Sequence, residues 1–324
     1  MAADFDDDDD TCSILVPVDI INTAGVIQSI TAAGVALAED PNPAWASATT
    51  YTADQMVYKG NRVYAATGKA SNTNKDPALA INQFTASGEP NFWIDVGPTN
   101  RTAMFDGLIN SQTSSASPLV FTLTPGAFNG FALFGIDADS YSVTVKDAPG
   151  GNVIYQEPTT VLEGSMPGDY YEYFFDRFKP LTQFIRNDID PYGSSEITVT
   201  LNKATGPVKL GMFAIGDMKP IGIPQRDASV NPNSFTYFKQ DAYGNATVKK
   251  RPSATGMSIS CVTDTFNANT IKANIDSVAG TPCVVVGSTK PMYEWMTTFG
   301  LVRASLSPNP FPYTTVKLDV TGFI

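Results

Sequence analysis

Strict alternation of apolar and polar residues marks the middle of this chain. In Ser140-Tyr141-Ser142-Val143-Thr144-Val145 and in Ile197-Thr198-Val199-Thr200-Leu201 every second side chain is apolar. A strand with one face on a core and the other in water has this period of two. Further strand-forming runs lie at 119–123, 130–136, 152–157, 170–175, 181–186 and 208–215. Turn residues separate them at the spacing of a β-sandwich, predicted here over 99–224. Upstream, CSILVPVDIIN at 12–22 predicts a strand, with Pro17 pointing to an edge or a bulge. Residues 23–39 are ambiguous, because alanine favours helix while Gly25 and Gly34 oppose it. Asp40-Pro41-Asn42-Pro43 breaks the pattern and predicts a linker.

Beyond residue 225, SFTYFKQDAYGNATVKKR reads as strand around a turn at Tyr243-Gly244-Asn245. MSISCVTD alternates, TPCVVVGS reads as a buried strand, and Val316, Leu318 and Val320 mark a terminal strand. Only 265–280 reads as helix, with Phe266, Ile271 and Ile275 on one face and Gly280 ending it. The expected class is therefore mainly β, in four parts. Residues 1–40 form an acidic head plus an N-terminal strand, and 41–98 a small aromatic β module. A jelly-roll-like sandwich follows at 99–224, then a β-rich or α+β domain at 225–324.

The module concentrates Trp45, Tyr51, Tyr58, Tyr64, Phe92 and Trp93 around a hairpin, MVYKGNRVYAA, turning at Lys59-Gly60-Asn61. Such rings either form the module's own core or stack on flat sugar faces. Trp45, Tyr51, Tyr58, Tyr64 and Trp93 are the carbohydrate-binding candidates. In Asp169-Tyr170-Tyr171-Glu172-Tyr173-Phe174-Phe175-Asp176 alternation puts Tyr171, Tyr173 and Phe175 on one face. These three are candidates either for core or for a partner interface. Residues 99–115 bring together Asn100, Arg101, Asp106 and Thr113 beside the Asp106-Gly107 turn; they are expected either as a structural cluster with an Arg101–Asp106 ion pair or as ligand contacts.

Composition narrows the chemistry. The 324 residues include no histidine. Ser-His-Asp and Cys-His catalysis and most zinc sites are thereby excluded. Glu157, Glu163, Glu172, Asp176, Asp188 and Asp190 are raw material for glycoside hydrolysis, but their spacing selects no pair. No catalytic residue, cofactor or metal is expected, since the chain has no phosphate loop, dinucleotide fingerprint or metal-ligand spacing. The net charge is −11, and Asp4 and Asp6 to Asp10 supply much of it. Basic residues are scattered, with Lys249-Lys250-Arg251 the densest group, which argues against a nucleic-acid groove. Cys12, Cys261 and Cys283 form no CxxC and are expected as reduced, buried thiols. A Cys261–Cys283 disulfide stays open if adjacent strands bring the two together. No run approaches the roughly 20 apolar residues of a membrane span, and the N-terminus lacks the basic and apolar regions of a secretory leader.

Two local patterns and one global pattern resemble known families. Trp45-x5-Tyr51-x5-Val57, then Lys59-Gly60, Tyr64, Ala66 and a late Trp93, resembles small chitin- and cellulose-binding modules. The stretch from Ala103 through Asp106-Gly107 is similar to the opening of galactose-binding jelly rolls. In order, ILVPVDI, VYKGNRVYAA, FWIDVGPTNRTAMFD, DYYEYFFDRF, IGIPQRD, AGTPCVVVGS and YTTVKLDVTGFI resemble a family of tail-associated virion proteins of tailed bacteriophages. The most specific part is W-x-D-V-G-P-T-N-R-x-A-M-F-D. This resemblance implies a non-enzymatic structural role in the tail tip, baseplate or an adjacent appendage. It implies other tail proteins, further copies of the chain and host-surface glycan as partners. It places the chain in the virion, after synthesis in the host cytoplasm. A carbohydrate-binding adhesin or receptor-binding module, and a carboxylate-based glycan depolymerase, are the rival expectations.

Overall fold

The computed structural model describes residues 10–69, 72–162, 181–241, 243–251, 253–290 and 293–323. β1 (Cys12–Pro17), β2 (Ile27–Ala32) and β3 (Val35–Ala36) open the chain. β4 (Met56–Lys59), β5 (Arg62–Ala66) and β6 (Trp93–Pro98) belong to the aromatic segment. β7 (Thr113–Ser115), β8 (Leu119–Leu123), β9 (Gly130–Asp137), β10 (Ser140–Lys146), β11 (Val153–Val161), β12 (Gln183–Arg186), β13 (Glu196–Asn202) and β14 (Val208–Pro224) follow. β15 (Ser229–Ser234), β16 (Tyr237–Gln240), β17 (Ala246–Lys249), β18 (Ser253–Asp264), β19 (Cys283–Val286), β20 (Thr297–Pro308) and β21 (Tyr313–Gly322) complete them. The described helices of four or more residues are α1 (Ala80–Gln83) and α2 (Ala268–Ser277). The fold is mainly β, as the alternation predicts. None of the described helices is long and apolar enough to cross a membrane.

Two sheets face each other in the sandwich. One runs β11-β10-β13-β8-β2-β3; the other contains β12-β9-β14, with β7 also on β14. The register pairs Tyr141 with Leu201, Val143 with Val199 and Val145 with Ile197. All six point inward, against Phe131 and Leu133 of β9 and Leu210, Phe213 and Ile215 of β14. Phe213 is the hub of this core. It lies edge-on to Phe121 at 5.1 Å and to Phe105 at 6.3 Å, and stacks on Phe131 at 6.2 Å. Offset and edge contacts of this kind suit the ring quadrupole.

The long β14 then leaves the sandwich and becomes a wall of a barrel. It pairs with β1, and its last residues pair with β18, Ile223 opposite Val262 and Pro224 opposite Cys261. β1 pairs with β19, β19 with β20, β20 with β21 and β21 with β18. Six antiparallel strands thus close on themselves, and closure removes free edges from the ring. Cys12, Ile14, Ile221, Met257, Ile259, Val285, Val316 and Leu318 belong to its core, and α2 adds Ile271. Gly216 makes the crossing possible. A Cβ there would lie 1.9 Å from the Val16 carbonyl oxygen, so a side chain would force β1 away from β14.

β9 and β14 are buried on both faces. Ala132, Phe134, Met212 and Ala214 point away from the sandwich core and meet Leu15, Val284, Val286 and Phe299 of the barrel wall. The sandwich and the barrel therefore share a strand and a seam of packed side chains.

This topology splits the first forty residues between the two bodies. β1 is a barrel strand, while the ambiguous 23–39 region supplies β2 and β3 to a sandwich sheet. Pro17 marks no edge, because β1 lies between β14 and β19. It is tolerated because β19 pairs only as far as Leu15, so the missing N–H at Pro17 breaks no bond to that neighbour. The predicted helix is present and buries Ile271, but Phe266 is 78% exposed. Residues 265–267 form a 3-10 turn capped by Asp264, so Phe266 precedes the helical face it was expected to share.

Candidate functional site

The aromatic segment is a three-stranded antiparallel sheet inserted between β3 and the rest of the sandwich. Lys59 pairs with Arg62 across a two-residue turn, with Gly60 in the left-handed region at φ 62°. Its two ends are clamped together. The Arg101 N–H donates to the Glu39 carbonyl at 3.0 Å, and the Arg101 guanidinium lies 3.2 Å from the Glu39 carboxylate. The Asn100 N–H donates to Asp40 at 2.9 Å. Arg101 thus pairs with Glu39 rather than with Asp106, because the returning chain lies beside the outgoing one. Asp106 instead accepts from the Leu108 N–H at 2.8 Å and the Ser111 hydroxyl at 2.5 Å.

The rings proposed to stack on sugar divide into two groups. Tyr51, Tyr64 and Trp93 are buried and form the module's core with Val57 and Ala66. Trp93 is edge-on to Tyr51 at 5.2 Å, and its Nε1–H donates to the Lys75 carbonyl at 2.8 Å. A sugar needs an open ring face, and these three offer none. A module this small needs its largest rings to exclude water from its own interior. Trp45 and Tyr58 are half-buried, and the Lys59 ammonium lies 4.4 Å from the Trp45 ring centroid, over one of its faces. The interface candidates Tyr171, Tyr173 and Phe175 lie outside the described residues.

The barrel interior holds the cysteines. All three are free and buried. Cys261 and Cys283 sit on β18 and β19, which are not neighbours in the ring, so the disulfide left open by the sequence has no adjacent pair of strands to form on. The neighbouring Cys261 thiol, together with burial, pushes the Cys12 thiol well above its usual range. Burial pushes Cys283 up to about 12. At neutral pH both stay protonated, which makes them packing groups rather than nucleophiles. Among the described residues no group of Cys, Asp and Glu is arranged to hold a metal ion.

Two clefts flank the sandwich–barrel seam. The smaller, about 230 Å³, is lined by Asp19 and Asp106 among apolar neighbours such as Met212 and Phe213. The Asn22 backbone N–H and side chain hold Asp19 below its usual value, whereas burial pushes Asp106 up. Both carboxylates cap their own turns: Asp19 accepts from the Asn22 N–H at 2.9 Å and from its Nδ2 at 2.8 Å. The larger cleft, about 440 Å³, has the rings of Phe134, Phe299 and Phe323 on one side. Asn110 and Gln112 come from the loop before β7, and Thr182 and Gln183 from the start of β12. Ser253 and Thr255 of β18 and Thr297 of β20 complete its polar rim, and no described lining residue is ionisable. Among the possible hydrolytic carboxylates, Glu157 is held by Arg186 at 3.2 Å and the Tyr155 hydroxyl at 2.7 Å. Glu163, Glu172 and Asp176 lie outside the described residues.

Among the described residues the three most exposed large apolar side chains, Tyr243, Phe266 and Phe311, lie toward the two ends of β18. Beyond Ser253 the β15–β18 ladder is succeeded by the β16–β17 hairpin, an arm with Tyr237 opposite Lys249 and Phe238 opposite Val248. Its tip is built: Asp241 accepts from the Tyr243 and Asn245 N–H groups at 2.9 and 2.8 Å, and from Asn245 Nδ2 at 2.9 Å. Yet Phe238 is 63% and Tyr243 92% exposed. The arm carries Lys239, Lys249, Lys250 and Arg251 against a single acid, Asp241. At the Asp264 end, Phe266 and Phe311 form an edge-on pair at 6.0 Å, with Phe311 77% exposed and Tyr313 beside them. A twelve-residue strand separates arm and patch, roughly 35 Å at about 3.3 Å per residue. Comparison with known protein families, curated proteins and solved structures finds no match for this chain.

Proposed function

We propose that this chain is a structural subunit of a bacteriophage virion, in the tail tip, baseplate or an adjacent appendage, and that its copies join head to tail. The observation that carries this reading is the pair of unlike exposed surfaces along β18, the basic aromatic arm at one end and the Phe266–Phe311 patch at the other. A two-stranded hairpin with every side chain of its strands in solvent gains little from burial on its own, and contiguous exposed apolar surface marks a docking site. The two surfaces are complementary in charge and chemistry. Arm cations suit aromatic faces, and Asp264 sits beside the patch on a chain of net charge −11. Because the surfaces differ, the contact is heterologous and repeats into a ring or a stack, the geometry of a tail component.

The phage setting rests on the resemblance to tail-associated virion proteins. The larger cleft offers no acid–base pair among its described lining residues, which favours assembly over catalysis. Immunogold labelling of intact particles with an antibody against the whole chain tests the assignment. Label is expected at one end of the particle. Label absent from every particle, with the chain free in the lysate, overturns it.

A further inference from the structure

We infer that the larger cleft between sandwich and barrel binds a neutral, hydroxyl-rich ligand, a saccharide of one or two rings. Its volume, about 440 Å³, falls within the span of small-molecule sites, roughly 300–1,000 Å³. The lining chemistry sets the ligand class. The side chains of Asn110, Gln112, Thr182, Ser253, Thr255 and Thr297 make no hydrogen bond with any described residue, although all border one cleft. Amides and hydroxyls both donate and accept, which matches sugar hydroxyls. A charged ligand asks for a countercharge, yet no described lining residue is charged in a chain with 21 basic and 32 acidic residues.

The apolar side fits the same ligand. Phe323 is the partly exposed ring on this side, and it offers its outer face to the C–H face of a pyranose; the buried Phe299, edge-on to it at 6.4 Å, and Phe134, 6.1 Å from Phe299, back it from the seam. Each polar group sits on or next to a strand of the sandwich or the barrel, and the shared β14 and the packed seam hold those two bodies in register. A site so supported is formed before its ligand arrives. This site is distinct from the aromatic module, whose largest rings are core, and the inference stands whether or not the arm docks on a second copy.

Saturation-transfer NMR and calorimetry on the full chain test it, using galactose, maltose, chitobiose and, as an anionic control, N-acetylneuraminic acid. At least one neutral sugar is expected to bind. Gln112→Ala/Thr182→Val is expected to weaken it at least tenfold at an unchanged melting temperature. Thr182→Trp, which fills the cleft, is expected to abolish binding, and the arm substitution Tyr243→Ser to leave it intact. Absence of binding by all three neutral sugars, preferential binding of the anionic control, or binding unaltered in both cleft variants overturns the inference.

Discussion

Phe213→Ala is expected to lower stability by about 3–5 kcal/mol, the usual cost of removing a large ring from a packed core. The side chain is 2% exposed and touches the rings of Phe105, Phe121 and Phe131, so the neighbours cannot close the gap without losing their own edge contacts. The loss should not stay in the sandwich. Phe213 lies on β14, whose flanking residues Met212 and Ala214 pack in the seam and whose far end closes the barrel. Differential scanning calorimetry should therefore show sandwich and barrel melting together, at a lower temperature than in the unaltered chain. A barrel transition that stays in place while the sandwich melts early contradicts a shared strand acting as a mechanical link.

Trp93→Ala should cost a similar amount, about 3–5 kcal/mol, but in a different place. Trp93 has no exposed surface and fills the centre of the small module together with Tyr51 and Tyr64. That module joins the sandwich through polar contacts at its ends, Glu39 and Asp40 with Thr99, Asn100 and Arg101, rather than through a shared core. Its loss should leave the other two bodies folded. Two tryptophans then remain, Trp45 in the module and Trp295 beside the barrel, with none in the sandwich. Emission from Trp45 should shift at low temperature while Trp295, in the turn just before β20, keeps the main transition. A single transition lowered for both would mean that the module and the sandwich fold as one unit.

Much of the secondary structure is legible in the sequence because it is written in local periodicity. β8, β10 and β13 fall on the predicted runs, and the hairpin at Gly60-Asn61 follows from its turn residues. β20 is not legible: its buried positions, Thr298, Phe299 and Gly300, are consecutive rather than alternating, and glycine reads as a breaker. β2 and β3 are hidden by their alanines and by Gly34 for the same reason. Barrel closure is invisible locally, since β1 pairs with β19, some 270 residues later. The sequence also gathers the aromatic rings of the module without saying which side of the sheet they take, so Tyr51, Tyr64 and Trp93 look equally suited to core and to sugar. The larger cleft carries no motif at all. Its asparagine, glutamines, serine and threonines come from four distant segments, and each resembles an ordinary residue at a strand end. The arm is legible as strands around a turn, but not that it stands clear of the body.

Sedimentation equilibrium on two complementary variants reaches the head-to-tail claim most directly. One carries Phe238→Ser, Tyr243→Ser and Val248→Ser and keeps the patch; the other carries Phe266→Ser and Phe311→Ser and keeps the arm. The unaltered chain should self-associate with rising concentration, and each variant alone should remain monomeric. Their equimolar mixture should form a species of two chains and grow no further, because only one intact arm meets one intact patch. An unaltered chain that stays monomeric at every concentration, or a mixture that stays monomeric, contradicts the account.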